Sequence, residues 1–143
     1  MNQPYLKPLP RKQPENAPLW EGLARREFRV PRCDDCGAWN WTPYPACRNC
    51  LSENLTWTKI NGNGALFTYT AVHRGLGAFH ADVPYVVGLV EMELSGGPRA
   101  VIVLGDIVGV PHEDLRIGMP LKMIFKDIPD EDVTLWEFTG REG

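Results

Sequence analysis

Two C-x-x-C pairs, Cys33-Asp34-Asp35-Cys36 and Cys47-Arg48-Asn49-Cys50, stand ten residues apart and hold all four cysteines of the chain. Each pair forms a knuckle that turns two sulfurs toward one point. Two facing knuckles supply a tetrahedron of thiolates, the closed form of a structural zinc site. The alternative use of the four thiols, two disulfides, needs an oxidising compartment. The N-terminal run M-N-Q-P-Y-L-K-P-L-P-R-K shows no apolar core of a secretory leader, so the expectation is reduced thiols and a cytoplasmic protein. Four protein ligands leave no open coordination position, which predicts a metal that holds structure and does no chemistry on a substrate. The same ligands also suit iron, as in a rubredoxin-type electron carrier.

The 143 residues allow one ordinary domain, or a small module joined to one. Thirteen prolines and fourteen glycines predict many turns and short strands. A net charge of -3 gives no electrostatic footprint for nucleic acid. No apolar run approaches the roughly 20 residues of a membrane span.

Residues 1–18 carry Pro4, Pro8, Pro10, Pro14 and Pro18, which fix φ and remove amide donors, so this arm is neither helix nor inner strand. A solvated tail is the plain reading. An extended arm laid across a partner is the sharper one, because Tyr5, Leu6 and Leu9 give it apolar area to bury. A short helix follows, with Asn16 as its candidate cap and Pro18 in its first turn. Leu19, Trp20, Leu23 and Ala24 share a helical face that must rest on the main body or on another chain. Residues 19–56 then form helix plus zinc ribbon. Between the knuckles, Trp39, Trp41, Pro43, Tyr44 and Pro45 make a stiff aromatic tongue, with Trp39, Trp41 and Tyr44 as candidate partner contacts beside Tyr5 and Leu9. Arg32 and Arg48, each next to a cysteine, either offset the thiolate charge or are plain surface residues.

From residue 57 the hydrophobic period changes to two. Strands are predicted over 57–61, 65–73, 84–93, 99–104, 120–126 and 133–138, with turns at Asn61-Gly62-Asn63-Gly64 and Ser95-Gly96-Gly97-Pro98. A single helical turn is predicted over 111–115. The fold class is therefore mainly β: helix and ribbon, then a five- to six-stranded Greek-key barrel of OB type over 57–138, with 139–143 as a tail.

No nucleophile elbow, H-E-x-x-H motif or phosphate-binding glycine loop is present. His73 at a strand end reads as structural. His80, beside Phe79 in the loop 74–83, reads either as an exposed loop histidine or as a contact to a ligand. No convincing catalytic set emerges.

The motifs run in a recognisable order: Trp20-Glu21-Gly22-Leu23, R-C-x-x-C-G at 32–37, P-x-P-x-C-x-x-C at 43–50, T-x-V-H at 70–73, P-Y-V-V at 84–87 and R-I-G-M at 116–119. This order resembles the OB-fold family with an N-terminal rubredoxin-like zinc ribbon, long catalogued as a domain of unknown function. One departure is Leu51, directly after Cys50, where the family often has glycine. The resemblance implies a zinc-binding, non-catalytic accessory subunit of a thiolase-fold enzyme acting on acyl-CoA thioesters. Small subunits of benzoylsuccinyl-CoA thiolase and of steroid side-chain aldolases are of this kind. It implies a hetero-oligomer in which the large subunit carries the nucleophilic cysteine and the small one stabilises it or shapes the acyl-CoA passage. Arg74, Phe79 and His80 are the candidate CoA contacts, since a CoA phosphate seeks a guanidinium. The competing reading is a nucleic-acid-binding module, because ribbons and OB barrels both serve there.

Overall fold

In the computed structural model, residues 4–142 are described. The first three residues of the predicted arm and the last residue of the predicted tail lie outside them.

The helix α1 spans Ala17–Ala24, with Leu19 and Leu23 buried as the apolar spacing predicts. Asn16 does not cap it through its side chain. Its Oδ1 accepts from the Gln13 N–H at 2.7 Å, and its Nδ2 donates to the Arg11 carbonyl, so the side chain ties the arm to itself. Pro18 sits in the first turn, where a missing N–H costs nothing.

Strand β1 (Phe28–Cys33) pairs antiparallel with β2 (Leu55–Ile60), in register from Phe28 opposite Ile60 to Cys33 opposite Leu55. The strand expected over 57–61 therefore exists. It belongs to the ribbon's own two-stranded sheet and not to the barrel.

The barrel begins at β3 (Asn63–Val72) and continues through β4 (Tyr85–Met92), β5 (Ile102–Ile107), β6 (Pro120–Ile128) and β7 (Val133–Gly140). The sheet closes in the order β3-β4-β5-β7-β6 and back to β3. Counted within the barrel this is 1-2-3-5-4, with the third and fifth strands parallel at Ile107 and Phe138. That is the OB-fold arrangement, with five strands. The connection from β5 to β6 holds a 3-10 turn at His112–Asp114, where one helical turn was predicted. Strand β7 runs on to Gly140, and the Arg141 N–H donates to the Pro120 carbonyl, so the expected tail is largely stitched into the barrel.

One core serves the helix, the ribbon and the barrel. Phe28 and Val30 of β1 join Leu66, Val90, Val103, Leu121 and Phe138 of the barrel strands in a single buried cluster. The junction is aromatic. Phe28 lies 5.0 Å from Trp41 and 5.2 Å from Trp136, and Trp20 of α1 lies 6.3 Å from Trp136. Such tilted and edge-on pairs add about 0.5–1.5 kcal/mol each beyond area burial. This cluster explains how a ribbon with almost no core of its own is seated on the barrel.

Candidate metal centre and surface clefts

The four sulfurs converge. All lie within 4.8 Å of one another, with Cys33 Sγ 3.5 Å from Cys50 Sγ and Cys36 Sγ 3.6 Å from Cys47 Sγ. A tetrahedron with Zn–S bonds of about 2.3 Å has edges of about 3.8 Å. A disulfide would need about 2.05 Å. The spacing therefore fits a metal and excludes paired cystines, and the four cysteines form a structural zinc site.

Each knuckle is closed by the same turn. The Gly37 N–H donates to the Cys33 carbonyl at 3.0 Å, and the Leu51 N–H to the Cys47 carbonyl at 2.9 Å. Acidic side chains tie the knuckles together: Asp34 accepts from Thr56 Oγ1 at 2.8 Å, and Asp35 accepts from the Ser52 hydroxyl and from Asn54 Nδ2. These donors hold the Asp35 carboxyl below its ordinary range, the Ser52 bond contributing most.

The thiolate charge is met by amide donors and not by arginine. The Cys36 N–H points to Cys33 Sγ, the Asn49 N–H to Cys47 Sγ, Asn40 Nδ2 to Cys47 Sγ at 3.4 Å, and Asn49 Nδ2 to Cys36 Sγ. Burial pushes the Cys47 thiol up, but Asn40 and the backbone N–H groups of Cys50 and Asn49 outweigh it and hold the group at about 6. Asn40 is 1% exposed and fully engaged, since its Oδ1 also accepts from the Arg48 N–H. Nothing in the C-x-x-C spacing announced it. The signal was an amide side chain beside the tongue tryptophans.

The two arginines expected beside the sulfurs are occupied elsewhere. Arg32 Nε donates to the Gly37 carbonyl, and its guanidinium covers the Trp39 ring at 4.7 Å. Arg48 Nη2 donates to Thr42, and its guanidinium stacks 4.0 Å from the Tyr44 ring.

The aromatic tongue is mostly turned inward. Trp39 is 6% exposed, and its indole N–H donates to the Ser95 carbonyl of the β4–β5 hairpin at 3.4 Å. Trp41 packs on Phe28 and Trp136. Trp39 is thus buried in the junction of ribbon and barrel, whereas Trp41 joins the same junction with part of its ring left at the surface. Tyr44, at 54% exposure, is the tongue residue that reaches the surface.

The arm lies along the chain's own body. Lys7 pairs with Asp82 and sits 5.5 Å over the Phe79 ring and 5.9 Å from the Tyr5 ring, while Lys12 reaches Asp132. Tyr5 is half-buried, whereas Leu6 and Leu9 face outward. Phe79 stands on a 3-10 turn at Gly77–Asp82 and packs 5.9 Å from Tyr85. Arg74 and His80 are exposed. The three residues expected to meet CoA are thus near in sequence, but Phe79 alone lines the two clefts beside this turn.

The larger cleft, ≈ 420 Å³, is charged: Lys7, Asp82, Asp106, His112, Lys126 and Glu137 line it. Burial raises the Asp106 carboxyl, and Lys7 and Lys126 pull it partly back. The second, ≈ 360 Å³, is apolar, with Tyr85, Val87, Leu104 and Leu135 beside Trp20 and Trp136. The Trp20 indole nitrogen is buried there with no hydrogen-bond partner among the described residues. The outer face of β4 and β5, where OB folds take oligonucleotides, carries Tyr85, Val87, Leu89, Leu104 and Asp106, and neither strand contains a lysine or arginine.

Residues 20–56 match the ChsH2 rubredoxin-like zinc ribbon domain, and residues 57–126 match the ChsH2 C-terminal OB-fold domain. A DUF35 domain-containing scaffold protein of Methanocaldococcus jannaschii is 31% identical over 114 residues, covering 78% of this chain and 77% of that protein. The chain belongs to the ChsH2/DUF35 family. A chain of the Ltp2-ChsH2(DUF35) aldolase superposes with a TM-score of 0.79 at 26% identity, over 92% of this chain and 98% of that one. The alpha subunit of 3-oxo-4,17-pregnadiene-20-carboxyl-CoA hydratase from Mycobacterium tuberculosis is 30% identical over 123 residues, which are 86% of this chain and 37% of that subunit. The chain therefore spans well under half the length of that relative. No helix of the described residues is long and apolar enough to cross a membrane.

Proposed function

We propose that this ChsH2/DUF35 chain is a zinc-stapled, non-catalytic accessory subunit of a cytoplasmic thiolase-superfamily enzyme that cleaves carbon–carbon bonds in acyl-CoA thioesters. The observation that carries the reading is the superposition, nearly end to end, on the chain from the Ltp2-ChsH2(DUF35) aldolase. The hydratase alpha subunit, whose name carries a CoA thioester, supports the substrate class. The chain's own chemistry agrees. The four thiols are committed to structure, and among the described residues no nucleophile stands beside a base in either cleft. Tyr44, Leu9 and Leu6 are the exposed apolar side chains of the tongue and arm that a partner would bury. Phe79 is the CoA-facing candidate that lines a cleft, with Arg74 and His80 flanking it. A nucleic-acid role finds no support on β4 and β5, which lack basic residues.

The test is affinity purification of the tagged chain from its native host, followed by mass identification and by assays with and without it. A thiolase-fold protein is expected to co-purify and to lose most of its turnover when this chain is removed. Enzymatic thioester cleavage by this chain alone, or a partner of another class, overturns the reading.

A further inference from the structure

A small groove lies on the seam between ribbon and barrel, and the metal site does not use it. Its ≈ 220 Å³ are lined by Trp39, Asn40, Trp41, Arg48, Arg99 and Ala100. The ribbon contributes Arg48, and the barrel contributes Arg99, three residues ahead of β5. The seam is rigid. Gly96 and Gly97 of the hairpin adopt φ of 81° and 86°, and a Cβ on Gly97 would meet the Gly37 carbonyl oxygen at 2.5 Å. The Trp39 indole bond to Ser95 closes the same contact.

The two arginines are not balanced. Neither has a carboxylate partner among the described residues, in a chain whose net charge is -3. Arg48 is also pre-positioned. Thr42 accepts twice from its Nη2, at 3.2 and 3.0 Å, and the Tyr44 ring supports its face. Its Nε and Nη1 remain free to donate. Two guanidiniums line one concave site, and the donor geometry of each matches phosphate oxygens. The volume is below the roughly 300 Å³ at which sites for whole small molecules begin, so it suits a phosphoryl or diphosphoryl group and not an entire nucleotide.

We propose that this seam groove is an anion subsite, formed only when ribbon and barrel are docked, for the phosphate groups of a phosphorylated ligand. Naming CoA as the source of those phosphates rests on the function proposed above. The phosphate chemistry itself does not.

The experiment titrates the full zinc-loaded chain with inorganic pyrophosphate and, separately, with CoA, following the indole N–H resonances of Trp39 and Trp41. Saturable shifts with both probes, and competition between them, are expected. Arg99→Gln should weaken both by roughly tenfold or more, as loss of a charge-assisted bond does. Its melting temperature should not change, because the exposed Arg99 side chain makes no hydrogen bond or ion pair among the described residues. Arg99→Lys should recover part of the affinity. Binding of pyrophosphate without competition by CoA keeps the anion subsite and removes CoA as its source. No saturable shift with either probe, or equal affinity in Arg99→Gln, overturns the proposal. Equal affinity combined with loss of a co-purifying partner in Arg99→Gln would assign the arginines to an acidic protein surface. Failure to find a thiolase-fold partner bears on the earlier reading alone.

Discussion

Gly37 and Leu51 occupy the same place in two copies of one turn. Each follows the second cysteine of its knuckle, each N–H returns to the carbonyl of the first cysteine, and their φ angles are 76° and 67°. Glycine enters this left-handed region freely, whereas leucine pays about 1–2 kcal/mol there. The Leu51 side chain is 80% exposed and gains little in return. Leu51→Gly is therefore expected to stabilise the protein by about 0.5–1 kcal/mol after the added freedom of the unfolded chain is counted. Gly37→Leu should destabilise it by about 1–2 kcal/mol. Urea unfolding of the zinc-loaded chain checks both, and no gain from Leu51→Gly would mean the strain is relieved elsewhere.

Removing a ligand should undo more than the ribbon. Cys47→Ser, at a fully buried position, is expected to abolish stoichiometric zinc and cost more than about 4 kcal/mol, the range typical of a lost structural metal. Elemental analysis together with thermal unfolding reads this out. Retention of one tightly bound zinc would contradict the assignment of all four sulfurs.

Trp136 is where helix, ribbon and barrel meet, through Trp20, Phe28 and Trp41. Its indole N–H also donates to the Leu104 carbonyl at 2.9 Å, across the parallel β5–β7 seam. Trp136 is partly buried at the edge of the apolar cleft, so Trp136→Ala should cost about 2 kcal/mol, less than the about 3–5 kcal/mol of a fully buried tryptophan. Trp136→Phe keeps packing and loses that bond, so it should cost less. Denaturant melts of the two variants separate the contributions.

Two acids give opposite pH dependences. Asp127 is held well below its usual range, first by Arg26 and then by Thr134. Its stabilisation is present above the unfolded value of about 3.9 and is lost as pH falls through the lower folded value. Asp106 is raised by burial, so its contribution is present below about 3.9 and is lost as pH rises through the higher folded value. Asp106→Asn is accordingly expected to be more stable than the parent at neutral pH and to converge with it in acid. Asp127→Asn should be less stable at neutral pH and converge in acid as well. Melting temperatures from pH 3 to 7 test the pair, and parallel curves for all three proteins would refute it.

The parts of this chain that read directly from sequence are those with short-range physical signatures. The knuckles showed in cysteine spacing, α1 in the apolar spacing of Leu19 and Leu23, and the barrel strands in their alternation. What did not show was choice of partner. The alternation of residues 57–60 marks a strand but cannot say that it pairs with Phe28–Cys33, whose Pro31 hides that segment's strand character. Strand β5 begins at Ile102 and not at Arg99, because the turn at Gly96 and Gly97 is followed by Pro98 and an exposed stretch that settles against the ribbon. For the same reason Trp39 looked like a contact for another chain: an aromatic residue on a tongue signals burial, and only the three-dimensional seam decides against what.

Gly97 touching the Gly37 carbonyl means that the clasp and the barrel share a wall. When the ion leaves, the hairpin loses the surface against which it was built, so damage spreads inward instead of stopping at the knuckles.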